Sequence, residues 1–161
     1  MKMGKMNSFS EKYSYSVDEK GRINFKKIIK RLHEEEKNNS NYHLLKQNVE
    51  LYGSKKKYPF FYIFTERSWK KFYDEKVEGL DTPVRIRFLT SYCGEASLDN
   101  SDRLSFPKEF LEFIGQGKDL VLQGDGEKIQ VWSKRDFDEY MKGISKLAPD
   151  AGFDDMFSKR S

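Results

Sequence analysis

This chain carries one pattern twice. Val17-Asp18-Glu19-Lys20-Gly21-Arg22-Ile23-Asn24-Phe25 aligns with Leu98-Asp99-Asn100-Ser101-Asp102-Arg103-Leu104-Ser105-Phe106 at an offset of 81 residues. Asp, Arg and Phe coincide, and the remaining apolar positions agree in type. Ile63-Phe64-Thr65-Glu66-Arg67-Ser68-Trp69 aligns with Val131-Trp132-Ser133-Lys134-Arg135-Asp136-Phe137 at an offset of 68, and the pattern runs on to Phe72 against Tyr140. The fall from 81 to 68 requires thirteen extra residues in the first copy, between Arg31 and Tyr58. Asn38-Asn39-Ser40-Asn41 and Lys55-Lys56-Lys57 give that stretch a loop-like composition. A chain of 161 residues has room for one compact domain or two small modules sharing a core. The repeat points to the modules.

Each copy has the same coarse plan. Tyr13, Tyr15 and Val17 alternate with serines, as in a strand buried on one face. Asp18 to Gly21 supplies turn chemistry, Arg22 to Phe25 returns as a second strand, and Ile28, Ile29 and Leu32 fall at helical spacing. In the second copy Pro107 opens a helix, Phe110, Leu111 and Ile114 form its buried face, and Gly115 ends it. Leu120-Val121-Leu122 and Ile129-Gln130-Val131-Trp132 flank Gly124-Asp125-Gly126 as a hairpin. A closing helix starts at Ser133 with Asp136 in capping-box position, and Thr65 is the equivalent start in copy one. Between the copies, Thr82 caps and Pro83 opens a helix with Val84, Phe88, Leu89 and Tyr92 inward. The alternation of Val84, Ile86 and Phe88 makes a strand the rival reading.

Several function classes have little to stand on. Cys93 is the only cysteine, so no intrachain disulfide forms, and beside Gly94 it reads as a small core residue. His33 and His43 match no metal spacing and read as solvated, as does the run Glu34-Glu35-Glu36. We expect no catalytic constellation, no metal, no cofactor and no small-molecule substrate. No apolar run is long enough to cross a bilayer, and no apolar stretch follows Lys2 and Lys5 as in a signal peptide. These points lead to a cytoplasmic location. Charge is unevenly spread: residues 1–80 hold 18 Lys/Arg against 11 Asp/Glu, and residues 81–161 hold 12 against 15. A polyanion prefers the first half.

The two Asp-x-x-x-Arg turns carry the most chemistry. An arginine leaving a hairpin turn can direct its five-donor fork at guanine O6 and N7 or at phosphate. The aspartate can hold turn N–H groups or orient the arginine. The plain alternative is a structural turn closed by an internal ion pair.

In order and double occurrence these motifs resemble the MraZ family, bacterial transcription regulators with two SpoVT/AbrB-like modules. The resemblance rests on Asp18 to Lys26, Asp99 to Pro107, Arg85-x-Arg87-Phe88-Leu89 leading into Gly94-Glu95-Ala96, the hairpin from Leu120 to Trp132, and the aromatic Phe137. It covers roughly residues 13 to 142. It implies a β-dominated α+β fold of two tandem swapped-hairpin (AbrB-like, double-split β-barrel) modules with short flanking helices. The implied layout is an N-terminal extension (1–12), a first module (13–80) with an insertion around 32–57, a connector (81–94), a second module (95–145) and a weakly ordered or docking tail (146–161). The resemblance further implies a nucleoid-associated regulator that binds double-stranded DNA at short direct repeats before a division and cell-wall gene cluster. Self-association into a ring-like oligomer also follows from it. The implied DNA-binding residues are Asp18, Lys20, Gly21, Arg22, Asp99 and Arg103. Lys26 stands where the first module usually has Pro, and Ser101 and Asp102 where the second turn usually has Lys and Gly. The usual N-terminal Phe-x-Gly start is not evident. These departures put more of the expected DNA contact on Arg22 than on Arg103, with Asp102 a rival partner for Arg103. The alternative reading is an AbrB-like antitoxin or interaction module whose main partner is a protein.

Overall fold

The computed structural model describes residues 8–51, 53–115 and 117–147. Its eight strands are β1 (Lys12–Ser16), β2 (Arg22–Asn24), β3 (Asn41–Glu50), β4 (Lys57–Phe64), β5 (Cys93–Leu98), β6 (Arg103–Ser105), β7 (Asp119–Asp125) and β8 (Lys128–Ser133). They form one antiparallel sheet in the order β1-β7-β8-β4-β3-β5-β6-β2, nearly closed into a barrel. Taken around the ring, with β2 lying against β1 where the sheet is not hydrogen-bonded shut, exchanging β1 with β5, β2 with β6, β3 with β7 and β4 with β8 maps the cyclic order onto itself, so the repeat in sequence is a pseudo-dyad in space. Each copy lends its first strand to the other copy's hairpin. Tyr15 of β1 faces Leu120 of β7, and Ala96 of β5 faces Tyr42 of β3.

Alternation sets what lies inside. In β2 and β6 the middle residues, Ile23 and Leu104, face each other and are fully buried. Phe61, on β4 where the two hairpins meet, packs edge-on against Phe106 and Phe110 at centroid distances of 5.3 and 5.2 Å. Such pairs contribute about 0.5–1.5 kcal/mol each beyond the area they bury.

The insertion has two parts. Leu44 faces Ile63 and Leu122 faces Val131, so across β3 and β7 the offset is 78. Three of the extra residues therefore precede β3 and ten lengthen the β3–β4 hairpin. The loop-like composition holds for residues 38–40 and 55–56, which lie outside strands, but Asn41 and Lys57 are strand residues and Glu50 pairs with Lys57. The longer hairpin brings Val49 and Leu51 to an outer apolar cluster with Tyr58, Phe60 and Trp132. Phe60 and Trp132 stack with centroids 5.0 Å apart.

The helices are short except the last: α1 (Lys26–Ile29), α2 (Glu66–Phe72), α3 (Thr82–Tyr92), α4 (Lys108–Phe113) and α5 (Lys134–Leu147). Thr65 caps α2 in a reciprocal box with Ser68, and the Ser133 hydroxyl accepts from the Asp136 N–H at the start of α5. Pro107 is the cap of α4 rather than its first residue, and Asp81 rather than Thr82 precedes α3. The segment between the copies is a helix, not a strand, yet none of its residues is buried and Val84, Ile86 and Tyr92 are 54%, 53% and 44% exposed. The expected inward face of Val84, Phe88, Leu89 and Tyr92 is realised only in its middle: Phe88 and Leu89 are half-buried, while Val84 and Tyr92 at the two ends of the helix are exposed.

Two polar expectations also fail. Glu36, in a short 3₁₀ turn (Glu34–Glu36), is buried and accepts from the Arg67 N–H at 3.4 Å, while Glu35 pairs with the Arg67 guanidinium at 3.0 Å. His43 is only 17% exposed at its side chain, stacks on Trp69 at 5.2 Å and meets Glu66 at 3.0 Å. The inserted residues that seemed to need only solvent supply these contacts. The tail expectation for 148–161 and the first seven residues of the expected extension lie outside the described residues.

Candidate functional site

The two turns have one construction. In the first, Asp18 Oδ1 accepts from the backbone N–H groups of Lys20 and Arg22 at 2.8 and 2.9 Å, and Oδ2 accepts from Arg22 Nε at 2.8 Å. In the second, Asp99 Oδ1 accepts from Ser101 and Arg103 N–H at 2.8 and 3.0 Å, and Oδ2 from Arg103 Nε at 2.9 Å. Each carboxylate thus ties the turn backbone to the guanidinium that follows it. The fourth turn position takes positive φ in both, +77° at Gly21 and +60° at Asp102. Glycine meets that demand freely, whereas an L-residue with a side chain pays conformational energy there. Asp102 still keeps the turn's shape, and no pairing with Arg103 is seen among the described residues. Arg103 clasps Asp99 instead.

The β2–β6 pairing brings the turns side by side. The Phe25 N–H donates to the Asp102 carbonyl at 2.8 Å, and the Phe106 N–H donates to the Gly21 carbonyl at 3.0 Å. With Ile23 and Leu104 buried, their neighbours Arg22, Asn24, Arg103 and Ser105 take the opposite, outer face. All six residues expected from sequence therefore gather at one end of the barrel. Asn24 and Ser105 share the outward face and were not anticipated. Their signal lay in the alternation around the two buried aliphatic residues.

Electrostatics favour a fixed, charged clasp. The Arg22 backbone N–H, with the Arg22 side chain and the Lys20 N–H, holds the Asp18 carboxyl below the usual carboxylate range. The Arg103 N–H does the same for Asp99, helped by Ser101 and the Arg103 side chain. With Nε engaged, terminal nitrogens remain for an outside acceptor on both guanidiniums, although Arg22 Nη1 also lies 3.8 Å from Asp99 Oδ2. The expected weighting toward Arg22 is not supported by accessibility, since its side chain is 21% exposed against 42% for Arg103. Elsewhere, burial pushes the Cys93 thiol up to about 11, which keeps it a thiol at neutral pH. Among the described residues no three His, Cys, Asp or Glu side chains cluster in a metal-binding arrangement. No helix among them is long and apolar enough to cross a membrane.

Comparison with known proteins converges on one family. Residues 93–160 match the family model described as "MraZ protein, putative antitoxin-like". The chain is similar to the "Transcriptional regulator MraZ" of Treponema denticola, 30% identical over 89 residues, which are 50% of this chain and 60% of that protein. It is also similar to the proteins of the same description from Heliobacterium modesticaldum, 28% identical over 55% of this chain and 62% of the relative, and Clostridium tetani, 29% over 49% and 58%. The chain spans about three fifths of the length of these curated relatives. The family match falls on residues 93–160, and about half of the chain is similar to each of these MraZ regulators.

Proposed function

We propose that the chain is a non-enzymatic, sequence-specific DNA-binding transcriptional regulator that acts in the cytoplasm on nucleoid DNA. The observation that carries this reading is the gathering of two carboxylate-clasped arginines on one outward face of the barrel. A fixed guanidinium loses little conformational freedom on binding, and its free terminal nitrogens suit guanine or phosphate. Asp18, Lys20, Gly21, Arg22, Asp99 and Arg103 form the reading end. The named relatives support regulation, and the resemblance directs it to short direct repeats before a division and cell-wall gene cluster. α3, with its half-exposed Val84, Ile86 and Tyr92, supplies apolar surface for a second copy in an oligomer. Several copies on several repeats would multiply weak contacts.

Titration of the chain against duplex DNA from directly upstream of its own reading frame tests the proposal, at two salt concentrations and with a scrambled duplex as control. Affinity should fall with salt at a slope of about −0.9 per phosphate contact and should favour the native sequence. Equal binding to the scrambled duplex would reject specific readout. The antitoxin-like wording of the family description supports a second reading with a protein partner, and a chain that binds neither duplex would favour it.

A further inference from the structure

We propose that Asp99 is a positioning residue for both arginines, so that Arg22 and Arg103 work as one coupled unit within a single groove; this rests on the DNA reading above. The two clasps are alike, but the contact between them is one-sided. Arg22 Nη1 lies 3.8 Å from Asp99 Oδ2, the oxygen that already accepts from Arg103 Nε. No ion pair joins Arg103 to Asp18 among the described residues. Asp18 therefore orients one guanidinium, while Asp99 orients one and restrains the other. The same asymmetry explains exposure: Arg22, drawn toward the second turn, is 21% exposed, and Arg103 is 42% exposed.

Register sets the spacing. Arg22 faces Ser105 and Asn24 faces Arg103, which makes the arginines diagonal neighbours on one face. Such neighbours lie about 7–8 Å apart, or roughly two base-pair steps of ~3.4 Å. A major groove about 12 Å wide admits both. Because the strands are antiparallel about the pseudo-dyad, the two forks approach in opposite senses and suit guanines on opposite strands. The unit read by one chain is then a short core of about three base pairs with a partly palindromic character.

The coupling is tested without DNA, by the guanidinium N–H signals of ¹⁵N-labelled protein. Asp18→Asn should shift the Arg22 signals alone, and Asp99→Asn those of both arginines. Asparagine keeps an oxygen for the turn's N–H groups, so the turns persist while the second carboxylate oxygen is lost. Arg22→Lys and Arg103→Lys give an independent reading that leaves both aspartates intact. The first should move the Asp99 carboxyl carbon, and the second should leave the Asp18 carboxyl carbon where it is. Asp99→Asn shifting Arg103 only, or an Asp99 carbon indifferent to Arg22→Lys, overturns the coupling. Selection from a randomised duplex pool then tests the groove. Asp18→Asn should lose preference about tenfold at one base position, and Asp99→Asn at two positions within about three base pairs. Two positions a helical turn apart would overturn the single groove. A wild-type chain that shows the coupling by NMR but selects no sequence would overturn the DNA reading and not the role of Asp99.

Discussion

Gly124 offers a strong test of how the barrel is closed at its first strand. It lies in β7, where a Cβ would come within 2.4 Å of the Phe9 carbonyl carbon and 2.6 Å of the Ser10 nitrogen. Both are backbone atoms, which cannot swing aside as a side chain would. Gly124→Ala must therefore push residues 8–10 off the sheet. Undocking exposes Phe9, now 3% exposed, and breaks its two backbone hydrogen bonds with Gly126, at 2.6 and 3.1 Å. Exposing a buried Phe costs about 1.5–3 kcal/mol and each hydrogen bond about 1 kcal/mol net, so the loss should be about 3–5 kcal/mol. That sum is also a ceiling, because the segment detaches before more strain is stored. Phe9→Ala should cost a similar amount, and the double variant should cost little more than either alone. Urea denaturation of the three variants measures this. A Gly124→Ala loss below about 1 kcal/mol, or strict additivity, would refute the close approach.

Three further outcomes follow from the turns. Arg22→Ala and Arg103→Ala should each weaken binding to the upstream duplex by roughly 1–3 kcal/mol, with Arg103 no less important than Arg22; a titration in which Arg103→Ala binds like wild type would refute the equivalence. Asp102→Gly relieves a left-handed side chain but frees the unfolded chain, so stability should change by less than about 1 kcal/mol while duplex affinity rises through loss of a negative charge; weaker binding would count against that account. Both turn aspartates have folded pKa values below their ordinary 3.8, so the clasp contributes stability above that value and loses it as pH falls through the depressed one. Arginine N–H signals should stay constant from pH 7 to about 5 and change only in more acidic solution, and a transition near pH 6 would assign them to another group.

The turns were legible in the sequence because their chemistry is local. Asp, a turn of three residues and Arg close a ring of hydrogen bonds that needs nothing from the rest of the chain, and the repeat showed it twice. The fold class was legible for a related reason, since strands with alternating burial leave a period of two. What was hidden depends on partners far away in sequence. Nothing in Tyr13 or Tyr15 states that β1 pairs with β7, more than a hundred residues on. His43 and Glu36 read as solvated because their types usually are, while their burial comes from Trp69 and the Arg67 backbone, brought in by the turn into α2. The inserted residues were read by composition, and polar composition does not distinguish a loop from an extended hairpin whose other face is covered.

The departures from symmetry show what the duplication permits. Around the dyad the two copies are bound to agree: Ile23 must fit Leu104, Phe25 and Phe106 must each reach the opposite turn, and both arginines must leave the same face. Away from it the constraint relaxes, and there the copies differ. The lengthened β3–β4 hairpin has no match in the second copy, and it gives α5 a floor of its own. Lys56 and the Tyr58 hydroxyl, both beside that insertion, bond to Glu139 of α5, and hydrogen bonding from them holds the Glu139 carboxyl below its usual range. α2, the counterpart of α5, instead covers His43 and Glu36 in the first copy. Both closing helices are thus secured by residues of the first copy, and at a distance from the turns. A change in helix packing is for this reason expected to alter stability without altering the spacing of Arg22 and Arg103, because that spacing is set by three-residue strands at the dyad and by the backbone bonds that cross it.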